Sequence, residues 1–249
     1  MVTIYRETKT ALSRSGIIKD GWCINPYGGC VHCCRYCYAT FMRRFNDVRE
    51  PWGEYVIVKK NILDVLDREL LRRRPARVWM ASVTDAWQPV ERRLKLARGA
   101  MERLLCAGFE LSLLTKSPLI VRDIDLMKKH PALVDAGVTV TTDDPEVARF
   151  MEPRVQPPLA RIETLAKLSD AGITTHAFVG PALPMNPQKL ASALKAVTGR
   201  VIIDRMNYTH KVSDAYASRG WNRYLGDPYY AEVVAAFRAE FGPEKVMAV

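Results

Sequence analysis

Short apolar segments alternate with segments of helical periodicity along most of this chain, and that alternation restricts the possible folds more than any other feature. Strands are predicted at residues 22–25, 77–83, 109–115, 138–142, 174–179 and 201–204. Helices are predicted at residues 35–46, 61–73, 90–107, 121–130, 158–171, 187–198 and 228–241. Because this alternation places successive strands in parallel, the sequence predicts an α/β fold in which about six strands curl into an open barrel.

Glycines recur where predicted helices end. Four dipeptides each precede a predicted strand: Ala107-Gly108, Ala136-Gly137, Ala171-Gly172 and Thr198-Gly199. Glycine ends a helix readily because it adopts the left-handed conformation without a Cβ penalty. A spacing of roughly 30 residues is the length of one strand–helix unit, which supports the barrel. Asn61 is the predicted cap of the helix that it precedes.

The chain has no linker rich in Gly, Ser or Pro, so we expect one domain with an extension. Residues 1–20 are predicted to be an irregular lead-in, residues 21–207 the barrel, and residues 208–249 a C-terminal, mainly helical extension packed on it. No run of 18 apolar residues occurs and the N-terminus lacks an apolar signal region. We therefore expect a cytoplasmic protein that makes no membrane contact, and a monomer.

The net charge is +10, and part of the excess lies in short basic runs. These runs are Arg43-Arg44, Arg72-Arg73-Arg74, and Arg92-Arg93 with Lys95. One interpretation is a face that binds a polyanion, and the other is solvated helix surface. The sequence leaves both open.

Four of the six cysteines fall between residues 30 and 37. A chain of 249 residues can bury a core without disulfides, and clustered thiols indicate a metal site instead. Cys30, Cys34 and Cys37 have the spacing C-x3-C-x2-C. Three thiolates on one loop suit three irons of a cubane cluster and leave the fourth iron free for another ligand.

Two alternatives compete with an iron–sulfur cluster at this loop. The first is a four-thiolate zinc site that adds Cys33, although zinc knuckles are usually separated by a dozen or more residues. The second is a set of inert buried thiols. Cys23, on the preceding strand, is interpreted as a buried apolar thiol.

Polar residues follow the predicted strands, where α/β barrels carry their reactive groups. They are Ser82, Thr84 and Asp85; Thr115, Lys116 and Ser117; Thr141, Thr142, Asp143 and Asp144; Gly180; and Asp204, Arg205 and Asn207. Such a set offers donors, acceptors and close backbone to a zwitterionic cofactor. Asp143 and Asp144 are equally well explained as helix caps.

The cysteine spacing, with an aromatic residue before the last cysteine, resembles the signature of radical S-adenosylmethionine (SAM) enzymes. The flanking sequence from Asn25 to Ala39 resembles the spore photoproduct lyase-like branch, which is also labelled DNA repair photolyase. The later blocks Ser82–Asp85, Thr115–Ser117, Glu152–Arg154 and Ala171–Pro184 are similar to that branch as well. Cys33 departs from the pattern, which usually has glycine there.

This resemblance implies a partial (β/α)6 barrel, a 4Fe–4S cluster on Cys30, Cys34 and Cys37, and bound SAM. It also implies that SAM is held by Tyr36, Thr84, Lys116, Thr141 and the backbone at Gly180. Reductive cleavage of SAM would give a 5′-deoxyadenosyl radical that abstracts hydrogen from a substrate. The implied partner is a reductant protein of flavodoxin or ferredoxin type.

The resemblance makes Tyr38, Ser82 and Asp85 the candidate catalytic residues. Tyr38 matches a tyrosine of the lyase hydrogen relay. Ser82 stands where the lyases have a hydrogen-donating cysteine, and an O–H bond is too strong to replace a thiol. Cys106 is a doubtful substitute that we interpret as a buried core thiol.

The predicted substrate is nucleic acid, from the resemblance and the positive charge. The alternatives are radical modification of a peptide or small metabolite, and a non-catalytic protein that binds metal or nucleic acid. His32, beside the thiols, is expected to shape the loop by a hydrogen bond, and His176 to be a core histidine whose hydrogen bonds are satisfied.

Overall fold

The computed structural model describes residues 1–17 and 19–249. Its strands are β1 (Val2–Arg6), β2 (Leu12–Arg14), β3 (Trp22–Ile24), β4 (Tyr27–Gly28), β5 (Tyr55–Lys59), β6 (Arg77–Met80), β7 (Glu110–Thr115), β8 (Val134–Thr139), β9 (Thr174–Val179), β10 (Val201–Ile203) and β11 (Val246–Ala248). Its α-helices are α1 (Met42–Asn46), α2 (Ile62–Leu70), α3 (Glu91–Leu94), α4 (Leu96–Cys106), α5 (Ile124–Met127), α6 (Pro145–Met151), α7 (Pro158–Asp170), α8 (Pro187–Lys195), α9 (Ser213–Ala217) and α10 (Asp227–Phe241).

The larger sheet has the strand order β2-β3-β6-β7-β8-β9-β10-β11. Strands β3 and β6 to β10 are parallel to one another, and helices carry the chain from each of the later strands to the next. These are the six strands that the sequence predicts, in the predicted order. Strand β2 adds antiparallel to β3, and β11 adds parallel to β10. The two outer strands do not pair with each other in the described chain, so the barrel is partial and open.

The prediction of an irregular lead-in is wrong for the first residues. Strand β1 pairs in parallel with β5, from Val2 opposite Tyr55 to Arg6 opposite Lys59. Strand β4 pairs with the other edge of β5 and makes a separate three-stranded sheet. Strand β5 is a buried run of mostly β-branched residues that needs hydrogen-bonding partners on both edges. The C-terminal extension likewise contains a strand, β11, besides its helices.

The predicted helix at residues 90–107 is two helices. Lys95 has φ 54° and separates α3 from α4. The fully buried Glu91 carboxylate accepts hydrogen bonds from the backbone N–H of Ala97 (2.9 Å) and of Arg98 (3.1 Å). Those N–H groups belong to the first turn of α4, where no carbonyl of the helix can serve them. A side chain from the preceding helix therefore starts the second one.

The predicted fourth strand is displaced along the chain. Strand β8 begins at Val134, so Ala136 and Gly137 lie inside it rather than at a helix end. A Cβ at Gly137 would overlap Nε2 of His176 on the neighbouring strand, which explains the glycine by close packing. Gly108 and Gly172 do adopt the predicted left-handed conformation, with φ of 77° and 79°. Gly199 does not.

Two smaller predictions also need correction. The predicted helix at residues 35–46 is a 3₁₀ turn at Tyr38–Phe41 followed by α1. The Asn61 side chain does not cap α2; it accepts from the Thr8 backbone N–H at 2.8 Å and donates to the Thr8 carbonyl at 3.1 Å. Asn61 therefore ties the N-terminal segment to the barrel.

The main core fills the space between the larger sheet and the helices around it. Met80, Leu113, Val138, Ala177 and Ile203 are completely buried, one from each of five neighbouring strands. Burial of a side chain the size of leucine stabilises a fold by about 1.5–3 kcal/mol. None of the helices in the described residues is long and apolar enough to span a membrane.

Candidate active site

A cavity of about 470 Å³ opens at the carboxyl ends of the parallel strands. Each of the six parallel strands contributes side chains to it, either from the strand or from the loop that follows. The polar and sulfur-containing residues that line it include Cys30, His32, Cys34, Tyr36, Cys37, Tyr38, Ser82, Thr84, Asp85, Thr115, Lys116, Thr139, Asp204, Arg205, Asn207 and Tyr208. The sequence prediction that strand ends form one pocket therefore agrees with the geometry.

Three cysteines of the loop after β3 line this cavity together. Cys30 and Cys34 are buried and Cys37 is half-buried, and the Cys37 N–H donates to the Cys34 carbonyl at 3.1 Å. Burial raises the pKa of the Cys30 thiol to about 12 and raises that of Cys34 well above its usual value. Thiols in such surroundings ionise only when a cation holds the thiolate, as metal ligation does.

Cys33 is separated from the other three. Its backbone has φ 53°, and among the described residues it is not one of those that line the cavity. Its Sγ lies 3.4 Å from the Trp52 carbonyl oxygen. A Cβ at Gly53 would lie 2.5 Å from that sulfur, so the thiol packs tightly on the Trp52–Gly53 turn. The four-thiolate zinc set considered as an alternative is therefore not gathered on one side of the loop.

Gln88, which was not predicted from the sequence, hydrogen-bonds to the backbone of the cysteine loop. Its completely buried amide donates to the Gly29 carbonyl (3.2 Å) and to the Thr84 hydroxyl (2.9 Å), and it accepts from the Val31 N–H (3.2 Å). The Thr84 hydroxyl in turn donates to Gly29. Thr84 lines the cavity as predicted, but its hydroxyl proton is engaged with the loop. A polar residue in the apolar run Ala86–Val90 was the only sequence signal for Gln88.

Asp85, predicted as catalytic, is a buried carboxylate with several donors. It accepts from the Thr115 hydroxyl (2.7 Å), the Trp87 N–H (2.8 Å) and the Lys116 N–H (2.9 Å). Nδ1 of His32 lies 3.5 Å away. Asp85 thus joins the ends of β6 and β7 to the cysteine loop, while its predicted catalytic role stays a prediction.

His32 is buried in the wall of the cavity beside Asp85. Burial lowers the pKa of the imidazole below its ordinary value, against the opposing influence of the Asp85 charge. The ring is therefore neutral at pH 7. This placement agrees with the loop-shaping role expected from the sequence.

A buried charged network lies behind Tyr36. The Tyr36 hydroxyl donates to Glu152, and Glu152 pairs with Arg161 at 2.6 Å; all three residues are buried. Burial alone would raise the pKa of Glu152, but the charges of Arg161 and Lys116 hold it below its ordinary value. Arg161 also donates to the Thr139 carbonyl at 3.1 Å. The network thus connects the cysteine loop to strand β8.

Lys116 is a cation without a carboxylate partner in the described chain. Its Nζ lies 5.6 Å from the centre of the Tyr36 ring, on the cavity side. Its charge also lowers the pKa of the nearby Cys34 and Cys37 thiols, in opposition to burial. Lys116 therefore offers the site a positive charge that a bound anionic group can use.

Strand β8 presents a different threonine from the one predicted. Thr139 lines the cavity, whereas Thr141 does not, and the buried Thr141 hydroxyl has no hydrogen-bond partner within residues 1–17 and 19–249. The displacement of the strand explains the difference, because β8 ends at Thr139 whereas the predicted strand runs over residues 138–142. Gly180 lines the cavity as predicted, and a Cβ there would overlap the Phe178 ring.

Tyr38 and Ser82 meet at the mouth of the cavity. The Tyr38 hydroxyl donates to the Ser82 carbonyl, and burial raises the pKa of Tyr38 to about 12. The buried Cys23 thiol lies behind them and donates to the Ser82 hydroxyl at 3.0 Å. Cys106, interpreted as a buried core thiol, is instead exposed at the end of α4 and is absent from the described lining.

The C-terminal extension completes the mouth, which the sequence analysis did not predict. Tyr208 stacks on Tyr38 with ring centres 6.2 Å apart. Nζ of Lys211 donates to the Cys37 carbonyl at 3.1 Å and to the Thr40 hydroxyl at 2.5 Å. These contacts join positions that are 170 residues or more apart in sequence, so no local pattern could reveal them.

The remaining predicted groups have structural explanations. Asp144 caps α6 by accepting from the Glu146 N–H, and Asp143 accepts from the Asn186 N–H. His176 is buried and its Nδ1 lies 2.8 Å from Asp135, although its Nε2 has no partner in the described chain. His176 is thus a core histidine, as predicted, but only Nδ1 of its two ring nitrogens has a hydrogen-bond partner there.

The basic run Arg72–Arg74 lies at the amino end of β6, away from the cavity. Arg72 and Arg73 line a separate cleft with Lys9 and Arg68, and the Arg73 guanidinium lies 3.9 Å from the centre of the Trp22 ring. The run therefore belongs to a different face of the molecule from the thiols.

The fold and site together define a partial α/β barrel with three thiols and a lysine gathered in its mouth. The sequence model of the Radical SAM superfamily matches residues 24–197. A relative from Methanocaldococcus jannaschii is 32% identical over 208 residues, which are 83% of this chain and 75% of the relative. The chain therefore belongs to the Radical SAM superfamily.

Other relatives match a smaller share of their own length. A protein of Acidianus two-tailed virus is 32% identical over 68% of this chain and 58% of its own length. A protein of Mycobacterium tuberculosis (strain ATCC 25618 / H37Rv) is 35% identical over 65% of this chain. The matched region is 49% of that relative's length.

Solved structures of spore photoproduct lyase have the same fold. The lyase complexed with dinucleoside spore photoproduct superposes with a TM-score of 0.69 over 99% of this chain and 81% of its own, at 16% identity. A double mutant of the lyase with bound AdoMet and dinucleoside spore photoproduct superposes with a TM-score of 0.67. The match covers 99% of this chain and 80% of the lyase chain, at 16% identity. The predicted resemblance to this branch is thereby confirmed at the level of the fold.

Proposed function

We propose that this chain is a radical SAM enzyme whose Cys30, Cys34 and Cys37 bind a 4Fe–4S cluster. The observation that carries the proposal is the convergence of these three thiols and Lys116 on one cavity at the carboxyl ends of the strands. When bound, the cluster supplies the electron that cleaves SAM into methionine and a 5′-deoxyadenosyl radical, which abstracts hydrogen from the substrate. The chain's own residues bind, orient and shield these groups.

The arrangement of the thiols favours a multi-iron cluster over a single ion. Within residues 1–17 and 19–249, no three Cys, His, Asp or Glu side chains are close enough together to ligate one metal ion. A cubane needs one thiolate for each of several irons, so its ligands lie farther apart than those of a tetrahedral zinc. Three thiols around one cavity, with Cys33 turned away, suit that requirement.

The residues around the cavity also suit SAM. Lys116 provides a positive charge for its carboxylate, and Thr84 and Tyr36 lie on the same wall. Gly180 lines the cavity with bare backbone next to the Phe178 ring, so the adenine is offered backbone groups and an aromatic surface there. Thr139 replaces Thr141 in our assignment, because Thr139 is the threonine of β8 that lines the cavity. Asp85 and Gln88 hold the loop and Lys116 in position.

Nucleic acid is the substrate class that we propose. The net charge of +10 favours a polyanion, and the stacked Tyr38–Tyr208 pair at the mouth offers a surface on which bases can stack. The lyase with the same fold was solved with a dinucleoside photoproduct bound. Ser82, which replaces the lyase cysteine, favours a reaction other than spore photoproduct repair. The reductant of flavodoxin or ferredoxin type and the cytoplasmic location stay predictions from the sequence.

The test is anaerobic reconstitution with iron and sulfide, followed by dithionite and SAM, with 5′-deoxyadenosine as the product measured. Wild type is expected to form it, and Cys34→Ala is expected to lose both iron and product. Cys33→Ala is the matched control, since it removes a thiol from the same loop and should keep both. Equal dependence on Cys33, or a purified protein with one zinc and no iron, would contradict the cluster assignment.

A further inference from the structure

Two arginines share one aromatic ring on the outer side of the cysteine loop. Arg35 stands between Cys34 and Tyr36, and its guanidinium carbon lies 4.5 Å from the centre of the Phe150 ring. The guanidinium carbon of Arg219, from the C-terminal extension, lies 4.2 Å from the same centre. Two positive charges are therefore neighbours at the surface of the loop. We name Arg35, Phe150 and Arg219 the arginine clamp.

The clamp has no internal counter-charge. Within residues 1–17 and 19–249, neither guanidinium forms an ion pair with a carboxylate, and the only side-chain hydrogen bond found for either is from Nε of Arg35 to the Phe150 carbonyl (2.8 Å). Adjacent surface arginines behave differently, since Arg149 pairs with Glu146 and Arg154 with Glu54. Like charges that are held together without a carboxylate favour an external anionic surface.

The position of the clamp is as informative as its charge. Arg35 is exposed, while the Cys34 and Tyr36 side chains on either side of it are buried. Its backbone N–H donates to the Met151 carbonyl at 2.9 Å, which fixes the loop against the end of α6. The clamp is therefore the solvent-facing side of the segment whose inner side carries Cys34. Because Arg35 is the next residue after Cys34, a donor bound at this surface lies against the loop that carries the thiols.

We propose that the arginine clamp is the docking surface for the acidic electron-transfer protein that reduces this enzyme. The proposal rests on the proposed function, because only a redox cluster on Cys30, Cys34 and Cys37 needs such a donor. The partner presents carboxylates around its own redox group to Arg35 and Arg219. One electron leaves the partner's reduced flavin and enters the cluster, and no bond of this protein forms or breaks.

The first test measures binding rather than activity. Reconstituted protein is titrated with fluorescently labelled bacterial flavodoxin, and anisotropy gives the dissociation constant at low and high ionic strength. Reversing the charge in Arg219→Glu is expected to weaken binding about tenfold at low ionic strength, because like charges then face each other across the interface. The difference should shrink at high ionic strength, where the Debye length is shorter.

Two further variants complete the binding test. Arg35→Gln should weaken binding in the same direction. Arg77→Glu is the control matched in net charge: Arg77 is exposed, pairs with Glu110 at 3.0 Å, and lies at the opposite end of the strands. It should bind flavodoxin as wild type does. Wild-type affinity in both Arg219→Glu and Arg35→Gln would overturn the proposal, and so would equal weakening by Arg77→Glu.

The second test separates this proposal from the proposed function. The rate of cluster bleaching by photoreduced flavodoxin is divided by the rate with dithionite, which needs no docking surface. A lower ratio for Arg219→Glu than for wild type supports the clamp, and an unchanged ratio overturns it. If dithionite neither bleaches wild type nor yields 5′-deoxyadenosine, the proposed function fails and this proposal fails with it.

A nucleic-acid contact would give another pattern. If Arg219→Glu lost affinity for a labelled single-stranded oligonucleotide and kept its affinity for flavodoxin, the clamp would be part of the substrate surface, and the docking proposal would be wrong.

Discussion

The two walls of the cavity are built differently. The near wall consists of the loop 25–38 with the ends of β6 and β7, and its polar side chains are held by other side chains: Asp85 by Thr115, and Gln88 by Thr84. The far wall consists of the ends of β8, β9 and β10, where Phe178 and the bare Gly180 supply surface rather than hydrogen bonds. The near wall holds its polar groups by side-chain hydrogen bonds, and the far wall presents an aromatic ring and bare backbone.

This difference indicates a division of work. Preorganised polar groups cost little reorganisation when a charged ligand arrives, so the near wall is suited to the cluster and the charged end of SAM. In the far wall, the Phe178 ring and the close backbone at Gly180 suit a flat ring, which such a surface recognises mainly by shape.

The largest expected effect comes from the Tyr36–Glu152–Arg161 network, which connects the two walls. Arg161→Met removes the donor to the Thr139 carbonyl and leaves the buried Glu152 charge without its ion-pair partner. We expect the free energy of unfolding to fall by about 3–5 kcal/mol. Urea denaturation with a fluorescence readout measures it. The control is Arg77→Met, whose exposed pair with Glu110 is expected to contribute only about 0–1 kcal/mol.

The same network gives a pH dependence with a definite sign. The pKa of Glu152 is lower in the folded protein than its ordinary value, so its contribution is complete above the ordinary pKa of a glutamate. It is lost as the pH falls through the folded-state value. Wild type should therefore lose more stability on acidification than Arg161→Met does. Parallel acid curves for the two proteins would contradict the joining role of Glu152.

The walls also differ in how well the sequence predicts them. Cys30, Cys34, Cys37 and Lys116 were found because a short spacing and a strand end are local signals. Gln88 was missed because its three partners are set only by the folded loop. Thr139 was missed because β8 begins earlier than its apolar residues indicate, and Gly137 was taken for a helix end although the His176 ring explains it.

The second largest effect tests the close packing of Gly180 against Phe178 in the far wall. Gly180→Ala places a methyl group where the Phe178 ring lies, and we expect a loss of about 3 kcal/mol, the upper end of ordinary overpacking. The free energy of unfolding and the affinity for SAM should fall together. Gly180→Ala combined with Phe178→Leu should recover part of the stability. The control is Gly199→Ala, where a new Cβ meets nothing within 4 Å.

The third effect tests how the near wall holds the loop. Gln88→Leu leaves the buried Val31 N–H without its acceptor, whereas the Gly29 carbonyl keeps the Thr84 hydroxyl. We expect a loss of about 2 kcal/mol, within the range for one unsatisfied buried group. Iron content after reconstitution should fall as well, because the loop carries the thiols. Full iron content with reduced stability would show that Gln88 supports the fold and not the loop geometry.

The smallest effect decides whether Thr139 or Thr141 contributes to SAM binding. The Thr141 hydroxyl is buried and has no partner in the described chain, so Thr141→Val removes a polar group that gains nothing from burial. We expect stability to stay the same or rise by about 1 kcal/mol, and SAM affinity to stay unchanged. Thr139→Val, at the cavity surface, should weaken SAM binding instead. If Thr141→Val weakened SAM binding and Thr139→Val did not, the assignment made from the sequence would be right and the one made from the cavity wrong.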